Sequence, residues 1–246
     1  MYFVYYTDMD IPFLTYVNYM LFFPTFTAGP IFRYRDFQKV YNKPVPLTTD
    51  RFITCVKRFI KGMFKKMVVL YFVSTFFNFL VASEKHWYVS LAIVVFSYLV
   101  LVFDLSGYSD MAIGLGRMLG FHFGENFEYP YISRSITEFW RRWHISLSTF
   151  FRDYVYIPLG GNRYHAIRNI FIVWLLTGLW HGASWNFIFW GLFYGVLLFI
   201  EKTLFKKKLQ KIPAPICYIY TMFFVILGWA PVSYTHLRAH ETSLHL

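Results

Sequence analysis

Five stretches of this chain carry no Lys, Arg, Asp or Glu: residues 11–32, 67–83, 87–103, 169–200 and 212–233. A helix that crosses a bilayer needs roughly 20 such residues, or about 17 at the short end, so every one of these runs qualifies. Composition agrees, with 57% of residues hydrophobic, 24% aromatic and 15% charged, against about 25% charged in a typical soluble domain. Disorder is excluded, a soluble domain is disfavoured, and the chain reads as an all-α, polytopic membrane protein.

The net charge of +11 would suggest nucleic acid in a soluble chain, but here placement outweighs the sum. Residues 33–66 hold ten Lys/Arg against Asp36 and Asp50, and residues 202–211 hold five with no acid. Basic loops stay in the cytoplasm, so both segments are expected to face it, and no nucleic-acid partner is expected. The run 169–200 would make a helix of roughly 48 Å, well beyond about 30 Å of hydrocarbon. One crossing would also put two Arg/Lys-bearing segments on opposite faces. Two short spans broken near His181-Gly182-Ala183-Ser184 are therefore expected, of a kind tolerated where other helices bury them or they line a cavity. The expected spans are 11–32, 64–83, 87–104, 167–182, 184–201 and 212–232.

Cys55 and Cys217 imply no disulfide framework, and the absence of Cys-x-x-Cys and His-Glu-x-x-His spacings argues against a metal site. The N-terminus lacks the basic opening and short apolar core of a signal peptide, and Met1 opens on an aromatic stretch as an internal start or a fragment would. No Gly-x-Ser-x-Gly, Walker or dinucleotide glycine pattern occurs.

Residues 104–168 interleave seven Lys/Arg and six Asp/Glu with Trp, Tyr and Phe. Neither a span nor a solvated linker looks like this, and residues 105–166 read as re-entrant or interfacial structure. Within them, Thr137 to about Tyr156 is patterned as one amphipathic helix, ended by Pro158 and Gly160-Gly161. Ile136, Trp140, Trp143, Leu147, Phe150, Phe151 and Tyr154 would share a face, with Thr137, Arg141, His144 and Ser148 along its flank. Glu138 can pair with Arg141 or Arg142. Such a helix either lines a passage or lies at the interface with its arginines on lipid head groups. Asp104 and Asp110, flanking Ser106 to Ser109, read by default as helix-cap residues, and Asn162 as part of a turn. His181 is the one histidine within the uncharged runs; an ionisable group at bilayer depth is costly and marks a functional site. Gly178 and Gly182 bracket it at small-xxx-small spacing, leaving room for a close helix or a substrate.

Four ordered blocks then become recognisable: FFPTFTAGPIFRYRDF (22–37), FDLSGYSDMAIGLGRMLGF (103–121), NFEYPYISRSITEFWRRWHISLSTFFRDYVYIPLGGNR (126–163) and TGLWHGASWNFIFWGLFYG (177–195). Together they resemble the membrane-bound O-acyltransferase family over roughly residues 20–232, and the run YIPLGGNR resembles its bacterial alginate O-acetyltransferase branch. The resemblance implies a helical bundle whose re-entrant helices line a central passage, of which residues 1–232 are a partial domain, since family members are about twice this length. SYTHLRAHETSLHL (233–246) departs from the pattern and reads as a non-native tail, which excludes His236, His240 and His245 from any site.

For chemistry, the resemblance implies O-acetylation of an exported polysaccharide such as alginate, with the acetyl group carried from a cytoplasmic thioester donor. His181, in the Trp-His-Gly block, corresponds to the family's proposed catalytic histidine. His144, in the Arg-Arg-Trp-His block, resembles a second histidine of the same passage and is expected to orient the acceptor or help proton transfer. Arg141, Arg142 and Arg152, with Ser148, are candidate donor-binding residues, since guanidinium matches phosphate in a bidentate way. Pairing of those arginines with Glu138, Asp153 and lipid phosphates is the competing reading. No bound cofactor is expected; acetyl coenzyme A or an acyl carrier would be the donor substrate. Membrane lipids, a polysaccharide acceptor and an extracytoplasmic acetyltransferase are the expected partners, and the bacterial cytoplasmic (inner) membrane, crossed several times, the expected location. Alternatives are D-alanyl transfer to teichoic acid, for which a related transfer protein has a similar Arg-Trp-His block, or a non-enzymatic transporter or scaffold, for which broken helices and intramembrane polar groups are equally expected.

Overall fold

The computed structural model describes residues 12–25, 29–43, 45–84, 86–205 and 209–243. Every regular element among these residues is helical, as the apolar patterning requires. The chain divides into two compact units, Met1–Tyr71 with Phe103–Asn126, and Phe72–Val102 with Phe127–Leu246. Two long helices run through both: α3 (Thr49–Ala82) and α4 (Trp87–Met118). With Trp185–Phe205 they are the three helices among the described residues that are long and apolar enough to cross a membrane.

In the first unit, α1 (Phe13–Met20) leads through a 3-10 turn at Phe23–Thr25 to α2 (Tyr34–Asn42). The expected span 11–32 is thus a short helix and a turn around Pro24, a residue that cannot continue a helix; residues 11 and 26–28 lie outside the described ones. Phe22, Phe37, Ile113, Phe121 and Phe123 form the core, with Phe37 stacked on Phe121 at 5.0 Å between ring centroids. Helices α3 and α4 touch backbone to backbone: a Cβ on Gly62 would stand 2.5 Å from the carbonyl oxygen of Gly107.

That contact carries charge. Asp110, 4% exposed, binds Arg58 at 2.6 Å and Lys65 at 2.8 Å, and Asp104 pairs with Lys66. Asp104 and Asp110 are therefore not caps, as their flanking small residues suggested, but mid-helix partners of the α3 cations. Lys65–Val69 forms a π-helical turn, a local widening that helices favour at special sites.

The second unit starts with the hairpin end of α3 and α4, where Leu80, Val89 and Ile93 pack together. It continues with a 3-10 turn at Pro130–Ile132, α5 (Ile136–Arg142), α6 (Ile145–Phe151) and a π-helical turn Arg152–Tyr156. Then come α7 (Ala166–His181), α8 (Trp185–Ile200), which continues to Phe205, and α9 (Ala214–Ser243). Helix α9 reaches into the expected tail 233–246, whose side chains and residues 244–246 lie outside the described ones.

The single amphipathic helix expected from Thr137 to Tyr156 is instead two short helices. The chain turns at His144, whose φ of +45° is left-handed. That conformation is uncommon for any residue but Gly, and although His adopts it more often than most, the residue type alone does not predict it. Helices α7 and α8 meet at glycine: a Cβ on Gly178 would stand 2.4 Å from Phe187 O, and one on Gly191 2.3 Å from Trp174 O. Trp140, Trp174, Trp190 and Tyr194 pack edge-on beside this contact, binding α5 to both helices.

Candidate functional site

Helix α5 is built from its first turn outward. Ser135 Oγ accepts from Glu138 N at 3.0 Å, and Glu138 Oε2 accepts from Arg134 N at 2.8 Å, a variant of the reciprocal capping box. The remaining orphan donors go to Glu201. Its carboxylate accepts from Ile136 N at 2.6 Å, Thr137 N at 2.9 Å, Thr137 Oγ1 at 2.7 Å and Tyr220 Oη at 3.3 Å. Glu201 is 3% exposed, and helix N-terminal N–H groups are the partners that make such a buried carboxylate tolerable.

At its other end α5 delivers His144. Trp143 N donates to Phe139 O, and Glu128 N donates to Arg142 O, fixing the last turn. Ser148 Oγ, on α6, donates to Trp140 O at 3.1 Å and to Trp143 O at 3.5 Å. The left-handed His144 is thus pinned from both sides. Its ring lies 6.4 Å from that of Trp180, which in turn lies 4.8 Å from His181. His181 ends α7, edge-on to Trp190 at 4.9 Å. Helix α7 stops there because Gly182 leaves the helical region, and a Cβ at Gly182 would press on the Phe187 ring at 2.7 Å. The structure so brings together around Trp180 two histidines that are far apart in sequence. Burial first, and the neighbouring His181 second, hold the His144 imidazole at about 4, below its ordinary 6.5. It is neutral at physiological pH, able to accept a proton at one ring nitrogen and donate at the other.

The remaining predicted residues separate. Arg141 and Arg152 line one cavity of about 700 Å³, together with Arg134, Lys202, Glu138 and Glu201. Arg152 Nε bonds Asp153 Oδ1 at 2.7 Å, a hydrogen bond that raises its affinity for its proton further. Arg142 is not in that wall; it pairs with Glu138 at 2.7 Å, the i+4 pairing expected from the sequence. Ser148 is absorbed in the α5–α6 junction. Asn162 accepts from Tyr156 Oη at 2.9 Å and from Lys202 Nζ at 2.7 Å, so it closes the cavity rim as well as standing in a turn.

Comparison with known proteins decides what such a chain is: residues 6–228 match the model of MBOAT, the membrane-bound O-acyltransferase family. The chain belongs to that family. It is 43% identical over 222 residues to the probable alginate O-acetylase of Azotobacter vinelandii, covering 87% of this chain and 44% of the relative. A peptidoglycan O-acetyltransferase of Helicobacter pylori is 37% identical over 237 residues, covering 88% of this chain and 43% of the relative. The teichoic acid D-alanyltransferase of Bacillus subtilis is 32% identical over 247 residues, covering 89% and 61% respectively. The chain spans less than half the length of the first two relatives. As a membrane-bound O-acyltransferase family member with three helices of spanning length and apolarity, it is a membrane protein.

Two features of this O-acyltransferase-family chain escape sequence reasoning. Glu201 gave one signal: it is the lone acid between an uncharged run and a basic segment, a place where a carboxylate needs partners. The left-handed turn at His144 gave none.

Proposed function

We propose that this chain is the histidine-bearing part of a multi-pass O-acyltransferase of the bacterial cytoplasmic membrane, which moves an acetyl group from a cytoplasmic thioester to a hydroxyl of an exported polysaccharide such as alginate. The observation that carries the reading is the approach of His144, at the turn between α5 and α6, to Trp180, the residue that precedes His181 on α7. Acyl transfer from a thioester needs a base beside the alcohol and donors for the developing oxyanion. His181 takes the proton of the acceptor hydroxyl as its oxygen bonds to the acyl carbon. The C–S bond then breaks and the thiolate leaves, taking up a proton. His144, neutral and held in a fixed turn, orients the acceptor or relays the proton.

The cavity beside α5 suits the donor. Arg141 and Arg152 are the predicted phosphate ligands, Arg134 and Lys202 add positive charge, and the phosphates of acetyl coenzyme A or of an acyl carrier would meet guanidinium groups in the geometry they favour. An extracytoplasmic acetyltransferase is the proposed recipient or partner on the far side. The 43% identity to an alginate O-acetylase, against 32% to a teichoic acid D-alanyltransferase, favours acetylation of a polysaccharide over D-alanyl transfer.

The test is the O-acetyl content of the exported polysaccharide in cells carrying the full-length protein, as wild type, His181→Ala or His144→Ala, at matched membrane abundance. Acetylation is expected to vanish with His181→Ala and to fall with His144→Ala. Full acetylation with His181→Ala removes that residue from the chemistry and turns the reading toward a transporter or scaffold.

A further inference from the structure

A residue other than glycine in the left-handed region carries a backbone cost, and its surroundings must offset it for the turn to persist. The clamps on the α6 side, at Ser148, are local. On the α5 side the helix is only seven residues long, Ile136–Arg142, too short to be stable on its own hydrogen bonds. What holds its far end is Glu201, which belongs to the turn that extends α8. One carboxylate meets both free N–H groups of Ile136 and Thr137, the Thr137 hydroxyl, and the Tyr220 hydroxyl from α9. Three helices are thereby joined at one buried side chain, and α5 can neither slide nor rotate without breaking two bonds at once. Its opposite end fixes the angle at which the chain enters His144.

We infer that Glu201 is a positioning residue for His144: it anchors the start of α5 so that the strained turn at the end of α5 presents the imidazole beside Trp180 and His181. It touches none of the reacting groups in the proposed transfer. Its functional weight rests on the proposed role of His144, whereas its mechanical role does not.

The experiment uses the full-length protein in membranes and reads two things. One is the rate at which diethyl pyrocarbonate modifies His144, followed by peptide mass spectrometry, with exposed His86 as reference. The other is thiol release from acetyl coenzyme A, resolved into kcat and KM. Glu201→Gln keeps the volume but turns an amide donor toward backbone donors. His144 modification is expected to quicken about threefold or more as the turn opens, with His86 unchanged. Turnover is expected to fall about tenfold or more while KM for the donor holds, because misplacement acts on the reaction geometry. Unchanged modification and turnover in a folded Glu201→Gln protein overturn the inference. So does a raised KM with unchanged modification, which would confine the effect of Glu201 to the donor cavity whose wall it shares. Faster modification with turnover retained upholds the positioning and defeats the proposed role of His144. If Glu201→Gln does not accumulate, Thr137→Val and Tyr220→Phe each remove one hydroxyl from the carboxylate. Both should quicken His144 modification to a smaller degree, and no change in either overturns the inference.

Discussion

Ser148 Oγ donates to the carbonyl oxygen of Trp140, 3.1 Å away, and so ties the second residue pair of α6 back onto α5 across the His144 turn. Trp140 already uses its ring to pack against Trp174, Trp190 and Tyr194, so this bond links the turn to the aromatic core. Ser148→Ala removes it without changing volume much. A loss of about 1 kcal/mol is expected, the usual worth of a hydrogen bond inside a protein. Thermal unfolding of the detergent-purified protein should show a lowered midpoint, and turnover should fall further than stability accounts for.

The left-handed turn separates the conformational from the chemical role of His144. His144→Ala and His144→Gly both remove the imidazole, but only glycine adopts a φ of +45° without penalty. His144→Gly is therefore expected to be more stable than His144→Ala, by about 1 kcal/mol on the scale of a relieved left-handed residue, with both equally poor in acyl transfer. Denaturation of the two variants side by side measures the difference.

The lowered proton affinity of His144 gives a pH signature. Because its native value of about 4 lies below the ordinary 6.5, the unfolded chain binds a proton that the native chain refuses between those limits. Above 6.5 the residue contributes no pH dependence; as pH falls from about 6.5 toward 4, stability falls, by at most about 1.4 kcal/mol per pH unit. His144→Ala should flatten that acid limb in a stability-against-pH series. For the same reason His144 should contribute no step near pH 6.5 to the wild-type rate profile.

What the sequence makes legible here is what repeats or stays local. Uncharged runs declare a helical membrane protein, and the four ordered blocks declare its family before any coordinate. The Glu138–Arg142 pair follows from i+4 spacing, and the end of a helix at His181 from the Gly182-Ala183-Ser184 sequence after it. The rest depends on tertiary partners. Asp104 and Asp110 look like caps because Ser and Gly surround them, and only the approach of α3 reveals their lysine and arginine partners. The pattern from Thr137 to Tyr156 has helical period throughout, yet the chain breaks at His144 because Glu201, Glu128 and Ser148, all from outside α5, hold the turn open.

Asp110 provides a test in the first unit. It is the shared anion between Arg58 and Lys65, and its loss would leave Lys65 without its carboxylate and Arg58 with Glu125 alone. Asp110→Asn keeps the shape and removes the charge. Breaking a fully buried ion pair costs about 3–5 kcal/mol; with both cations partly exposed and Arg58 still paired to Glu125, a loss of about 1–3 kcal/mol and a lower unfolding temperature are expected. Lys39→Ala, whose pairing with Asp36 is exposed on both sides, should be close to neutral in the same assay.

The glycines between α7 and α8 set how far His181 stands from Trp190. A methyl group at Gly191 would fall 2.3 Å from the carbonyl oxygen of Trp174, and one at Gly178 2.4 Å from that of Phe187. Both obstacles are backbone, so neither can swing aside as a side chain would, and the helices must separate. Overpacking of this kind costs about 1–3 kcal/mol. Gly191→Ala and Gly178→Ala should therefore lower the unfolding temperature by comparable amounts. Their effects on transfer should differ, because Gly178 stands one turn before His181 on α7 and Gly191 adjoins Trp190 on α8. Displacement at Gly178 moves the imidazole itself and is expected to lower kcat by about 10²-fold, as a shift of roughly 1 Å at a reacting group does. Displacement at Gly191 moves the aromatic wall and should lower it less. Single-turnover acyl transfer by the two variants at matched amounts of folded protein distinguishes these outcomes, and equal losses would show that the separation of the helices, rather than the position of His181, governs the rate.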